Sequence, residues 1–326
     1  MPKRAPTPTQ ALFAVLVALQ LTACTTPTNT AETPAQSEQG QAASAQPFFT
    51  SEPRWRPIFQ GIEHAELATD TPRALVVQML RIDTSADGLE LFATPGNGDK
   101  PLETDGQTTR AFLEENELSV AINTHFFDPC CNRLPGEAKD LIGLSIAQER
   151  LVSPNADQSQ RDVMVFGSDF VGDEHSLNAR LHLDAPDVNT DSIDWLLGVS
   201  HAIAGHAILI GGETHAGSDA FATNHHPRTL VGVSGDQNTL YLVTIDGRQP
   251  AFSMGASLAE AAAIMHHVGA SDALNVDGGG STTMVLRDPD GASQLLNSPS
   301  GGFERVVGSN LGFRALPLQP EATRAP

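Results

Sequence analysis

Short apolar runs, each closed off by Gly, Pro, Asn or Asp, recur along most of this sequence, and only two windows carry a helical pattern. β-type runs are expected at Ala74–Ile82, Leu89–Ala93, Leu118–Ile122, Leu141–Ile146, Val163–Phe166, Ala179–Leu183, Ala207–Ile210, Thr229–Val233, Leu240–Ile245, Ala273–Val276 and Thr282–Leu286. The clearer helix is Ser257–Val268, where Ser257 and Glu260 form a capping box and Gly269 suits a left-handed stop. The second is Thr109–Asn116, with Phe112 and Leu113 turned inward. Strands and helices do not alternate, so the expected fold is α+β, a single domain of mixed, largely antiparallel β-sheet with a few helices.

The ends of the chain read differently. Lys3 and Arg4 precede an apolar run, Ala11–Leu19, too short to cross a bilayer, which leads into Leu21-Thr22-Ala23-Cys24. That ending resembles the lipobox of bacterial lipoproteins, which implies a signal peptide at 1–23 and lipidation at Cys24. Thr25 stands where an Asp would imply inner-membrane retention, so the expected location is the outer membrane, facing the periplasm or the exterior. Residues 24–53 are Thr, Pro, Ala, Gln, Ser and Glu with almost no large apolar group, so a disordered tether is expected. The folded domain is then 54–315, followed by a disordered tail at 316–326. The formal net charge of −20 over 326 residues disfavours nucleic-acid phosphate, and any membrane contact is expected through the lipid anchor only.

Besides Cys24, the chain has only Cys130 and Cys131, which are adjacent. In an oxidising compartment they can form a vicinal disulfide or remain free or intermolecular thiols. Their spacing does not suit a metal site, and no cofactor is expected; whether a divalent ion is required stays open.

The densest chemical signal is Asp272-Ala273-Leu274-Asn275-Val276-Asp277-Gly278-Gly279-Gly280-Ser281-Thr282-Thr283. Asn275 and Asp277, two apart on a β-type run, share a face. The three glycines that follow free main-chain N–H groups for close approach by a ligand, although a polar hairpin tip has the same spacing. No Gly-Lys-Ser/Thr follows, which argues against a nucleotide phosphate loop. Three more clusters stand at the ends of β-type runs: Asp246-Gly247-Arg248-Gln249 with Ser253 beyond it, His225-His226-Pro227-Arg228-Thr229, and Ala121-Ile122-Asn123-Thr124-His125-Phe126-Phe127-Asp128.

In this order the four clusters resemble the motifs of the phosphodiester glycosidase family. The resemblance extends from Trp55 over nearly all of the folded part. It implies one α+β domain that hydrolyses a sugar-1-phosphodiester at the glycosidic C1–O bond, releasing free sugar and a phosphomonoester. One departure stands out: the family's Asn-Gly-Gly-Phe-Phe is Asn123-Thr124-His125-Phe126-Phe127 here, so either the pocket is narrower or His125 has a role of its own.

Expelling a phosphate monoester relaxes the need for a general acid; what remains is to hold the phosphate and to stabilise positive charge at C1. Arg228 and Arg248 suit the first task because guanidinium matches phosphate in bidentate fashion, assisted by the N–H groups of Gly278, Gly279 and Gly280. Asp277 is the first choice for the second task, as base for water or as counter-charge, and Asp246 the second. Asn123, Asn275 and Ser281 are expected to bind sugar hydroxyl or acetamido groups, with Ser253 and Thr282 beside them. His226 and His125 are candidate acid/base groups. Two other classes fit the composition. One is a catalytically silent lipoprotein of the envelope that binds polysaccharide with the same pocket. The other is a metal-dependent phosphodiesterase drawing on His201, His206, His215, His225 and His226, although no ligand-spaced motif supports it.

Overall fold

The computed structural model describes residues 48–49, 51–131, 134–154, 161–167, 177–183 and 198–319. The signal peptide, Cys24 and nearly all of the tether lie outside them, as does most of the expected tail. A long sheet runs in the order Arg56–Phe59, Ile62–Thr69, Leu75–Asp83, Thr239–Ile245, Arg228–Val233, Asp272–Asn275, Val199–Ile210, Asp162–Gly167 and Asn178–His182. A second sheet runs Ser293–Leu295, Met284–Arg287, Val120–Asn123, Asn310–Arg314 and Glu90–Ala93. Every strand pair in both is antiparallel among the described residues.

The near-continuous apolar character of the central strands has a direct cause: both faces are covered. Val77, Met79, Leu230, Val243 and Ile245 pack against Ala261, Ile264 and Met265 of the helix Leu258–His267. From the other face Leu80, Ile82, Val231, Leu242 and Leu274 meet Val120, Ile122, Met284, Leu311 and Phe313 of the second sheet. The outer side of that sheet is closed by Phe112 and Leu113 of the helix Thr109–Glu115, packed on Ala121 and Val285. The layers are therefore helix, sheet, sheet, helix. Gly232 permits the closest approach, since a Cβ there would collide with Met265.

Both expected helices form where their caps place them, and the Ser257–Glu260 capping box is present in full. A short helix, Ala220–Thr223, was not expected. The expected run Leu141–Ile146 is split into Ala138–Leu141 and Ser145–Ala147, because Gly143 adopts φ +98° and packs its Cα side on Ala204. Strand Ile62–Thr69 was hidden by Glu63, His64 and Glu66, which interrupt its apolar pattern. The domain also begins before Arg54: Phe49 is buried in the helix-side core, with Phe48 packed against it. At the other end, the Leu316 carbonyl accepts from Gln60 N–H at 2.9 Å, so chain assigned to the tail is in contact with the domain.

Candidate active site

The register of the long sheet brings the motif clusters to one edge. Arg228 pairs with Ile245, and Leu230 pairs with Asn275, so Asp246, Pro227 and Val276 all emerge one residue beyond that edge. The second sheet contributes Asn123 at the end of its strand. Asn123 is fully buried, and its side chain is used within the protein: Nδ2 donates to the Asp277 carbonyl at 2.6 Å, while Oδ1 accepts from the Thr229 hydroxyl at 2.8 Å and the Thr283 N–H at 3.0 Å. The Asp277 N–H donates to the Thr124 carbonyl at 2.7 Å, completing a seam between the two sheets.

Beyond that seam the chain turns through Gly278–Gly280 into a tight helical turn, Gly279–Ser281. The loop is stapled down by Gly279 N–H to the Pro227 carbonyl at 2.9 Å. Gly279 has φ +62°, and a Cβ on it would lie 3.1 Å from both terminal nitrogens of Arg248. A Cβ on Gly280 would overlap the guanidinium of Arg305. The glycines therefore clear space for two cations more than they offer free N–H groups.

Asp277 leads into that loop and feels the charge of both cations. Burial pushes its carboxyl up to about 6, against the opposing pull of the Ser281 hydroxyl, Arg305, the Gly278 N–H and Arg248. Arg305 Nη1 donates to Ser281 Oγ at 3.3 Å. Arg248 is exposed, and its Nη2 lies 3.3 Å from Nδ1 of His226. Burial, together with Arg228 and Arg248, lowers the pKa of His226, which favours the neutral ring. Asp277, Ser281, Arg248, His226 and the three glycines are thus brought together, and Arg305 joins them. Arg305 was missed because Glu304-Arg305-Val306 lies in a turn-rich stretch with no run of chemical residues around it.

Other expected site residues are turned to different work. Arg228 is buried, with Nε donating to the Ala256 carbonyl at 2.9 Å and Nη2 to the carbonyls of Phe221 at 2.7 Å and Asn224 at 3.1 Å. Two of its three nitrogens therefore tie loops together, and its planar fork is not open to a phosphate. Ser253 is fully buried, donating to the Asp246 carbonyl at 2.6 Å and accepting from Val76 N–H at 3.1 Å. His125 is buried, with Nε2 3.0 Å from the Leu144 carbonyl and 3.1 Å from the Ala204 N–H, and burial lowers its pKa to about 4. It ties the loop at Leu144 to the strand Val199–Ile210, away from solvent. Asn275 is also buried, with Nδ2 on the Val276 carbonyl at 3.0 Å.

Asp246 is buried as well. Its Oδ1 accepts from Asn297 Nδ2 at 3.1 Å and from Ser298 N–H at 2.9 Å, and burial raises its carboxyl to about 6. The same Asn297 amide donates to the Thr282 carbonyl at 3.0 Å. Asp246 and Thr282 are therefore linked through Asn297, which stands in no chemical cluster of the sequence, and serve to anchor the loop that leads to Arg305. Flanking the site is an aromatic wall: the ring of Phe221 lies 5.2 Å from His206, 6.0 Å from Phe126 and 6.5 Å from His226. Among the described residues no group of three or more His, Cys, Asp or Glu could hold a metal ion.

A family model described as phosphodiester glycosidase matches residues 116–314, which span every residue of this site from Asn123 to Arg305. The chain belongs to the phosphodiester glycosidase family. Solved structures share the fold of this phosphodiester glycosidase domain. The zebrafish N-acetylglucosamine-1-phosphodiester alpha-N-acetylglucosaminidase catalytic domain, auto-inhibited by its pro-peptide, is 19% identical with a TM-score of 0.57, over 82% of this chain and 86% of that one. A protein of Burkholderia pseudomallei K96243 named as exported is 19% identical with a TM-score of 0.56, over 74% of each chain. A hypothetical protein from Synechocystis is 16% identical with a TM-score of 0.55, over 79% of this chain and 64% of that one. No protein of curated function matches the sequence.

Proposed function

We infer that this protein hydrolyses a sugar-1-phosphodiester, cleaving the glycosidic C1–O bond to give free sugar and a phosphomonoester. The observation that carries the reading is the glycine loop after Asp277, where Arg248 lies against Gly279 and Arg305 against Gly280, both within electrostatic reach of the Asp277 carboxyl. The two guanidinium groups bind the phosphate and stabilise the charge that grows on it as the C1–O bond breaks. Asp277, ionised above about pH 6, stands against the positive charge at C1 or takes a proton from the attacking water. His226 steadies Arg248 through its Nδ1, 3.3 Å from Arg248 Nη2. The leaving group departs as a phosphate monoester, so no strong general acid is required.

Water labelled with ¹⁸O tests the bond that breaks. Turnover of a sugar-1-phosphodiester is expected to put label on the anomeric hydroxyl and leave the phosphomonoester unlabelled by prompt mass spectrometry. Label in the phosphate would overturn the reading. The setting we assign is the bacterial envelope, with Cys24 lipidated at the outer membrane. Cys24→Ser is then expected to leave the protein unprocessed or soluble; a variant that still fractionates with outer membrane after a carbonate wash removes the anchor from the account.

A further inference from the structure

Arg305 has a second neighbour outside the glycine loop. Cys130 and Cys131 are joined by a disulfide between adjacent residues, just after the strand Phe127–Asp128, and both are exposed. Arg305 Nη1 lies 3.9 Å from Cys130 Sγ on one side and 3.3 Å from Ser281 Oγ on the other. The guanidinium thus contacts both the disulfide and Ser281, and lies where a Cβ on Gly280 would be. Cys131 has φ +79°, a left-handed conformation that residues other than glycine sparsely populate. Since both residues are exposed, packing does little to hold that conformation, and the small ring closed by the S–S bond is the constraint at hand. With the ring closed, Cys130 Sγ stays within 3.9 Å of Arg305 Nη1.

We propose that the Cys130–Cys131 disulfide is a positioning element for Arg305, and that opening it with a dithiol weakens the hold of the site on a phosphate group. The inference rests on the reading that Arg305 meets the substrate phosphate. In the opening step one thiolate of the dithiol attacks a cysteine sulfur to give a mixed disulfide, and its second thiol closes on the first. Two electrons and two protons pass to the protein, which gains two thiols, while the dithiol leaves as a cyclic disulfide.

The test uses inorganic phosphate as the probe and calorimetry as the readout. The only other cysteine in the chain is Cys24, so dithiothreitol acts on the one disulfide seen among the described residues. Protein that is reduced and then alkylated, with the modification checked by mass, is expected to bind phosphate three- to tenfold more weakly than oxidised protein with its far-ultraviolet circular dichroism unchanged. Cys130→Ser/Cys131→Ser should match the reduced protein; if that variant fails to fold, reduction of the folded parent decides alone. In Arg305→Met, binding should be weak already and change less than twofold on reduction. Equal affinity in the oxidised and reduced parent overturns the role of the disulfide and leaves the phosphate reading standing, as does an Arg305→Met variant that still responds to reduction. Oxidised parent that binds no phosphate overturns both.

Discussion

The side chain of Asn123 holds the main chain of Asp277: its amide donates to the Asp277 carbonyl at 2.6 Å across 154 residues of sequence. Its oxygen meanwhile accepts from Thr229 and Thr283. Asn123→Ala would leave a buried carbonyl, hydroxyl and N–H without partners, a loss of roughly 2–4 kcal/mol in urea unfolding. Turnover should fall more than the folded fraction does, because Asp277 loses its support.

Arg228 and Arg248 should part company under the same change. Arg228→Lys cannot serve the Ala256, Phe221 and Asn224 carbonyls together, and a loss of about 2–3 kcal/mol of stability is expected. Arg248→Lys, at an exposed position, should change stability by less than ~0.5 kcal/mol yet weaken phosphate binding about tenfold. Calorimetry with phosphate beside urea unfolding separates the two; a destabilised Arg248→Lys would place that arginine among the structural ones.

Gly280→Ala puts a methyl group where the Arg305 guanidinium lies. A flexible side chain can move aside, so stability should drop by no more than ~1 kcal/mol while phosphate affinity drops about tenfold. Unchanged affinity would remove Arg305 from the phosphate site.

Asp277→Asn keeps the shape of the loop and removes the charge. Turnover should fall below about a hundredth of the parent, a barrier increase above ~2.7 kcal/mol, while phosphate binding survives. The same variant with more than a tenth of parental turnover would shift the role to another group.

Acidity should pull activity and stability in opposite directions. Asp246 and Asp277 have carboxyls raised to about 6 by burial, so the folded protein holds these protons more tightly than the unfolded chain. Each contributes stability that is fully present below the unfolded value near 3.8 and is lost as pH rises through about 6. For Asp246 the rise from 3.8 to about 6 corresponds to about 3 kcal/mol. On the proposed role of Asp277, turnover should rise over the same range. Urea unfolding between pH 4 and 8 checks the slope, and Asp246→Asn should flatten it; an unaltered slope in that variant would leave Asp246 without this role.

Much of the layered fold was legible because a strand covered on both faces must be apolar nearly throughout, and Leu75–Asp83 and Thr239–Ile245 are. Ile62–Thr69 was not, since its outward Glu63 and Glu66 break the run. At the site, the glycine loop and Asp277 stood out because three glycines and a carboxylate at a strand end stood together with three other clusters at strand ends. Arg228 misled for a physical reason: a guanidinium has the same donors whether it meets a phosphate or three carbonyls, and only the folded chain shows which. Arg305 and Asn297 reach the site from a loop whose own residues carry no pattern, so their position depends on long-range closure.

The hydrogen bond from Asn123 to Asp277 also bears on how the molecule can be damaged. The site is assembled from segments that meet only when the second sheet has docked on the first, so a protease nick that lets those layers part removes the reactive centre at once. No fragment cut between Asn123 and Asp277 holds it alone. On the proposed function, loss of turnover during limited proteolysis should therefore run in step with release of the layers from one another, and turnover would then gauge the intact population.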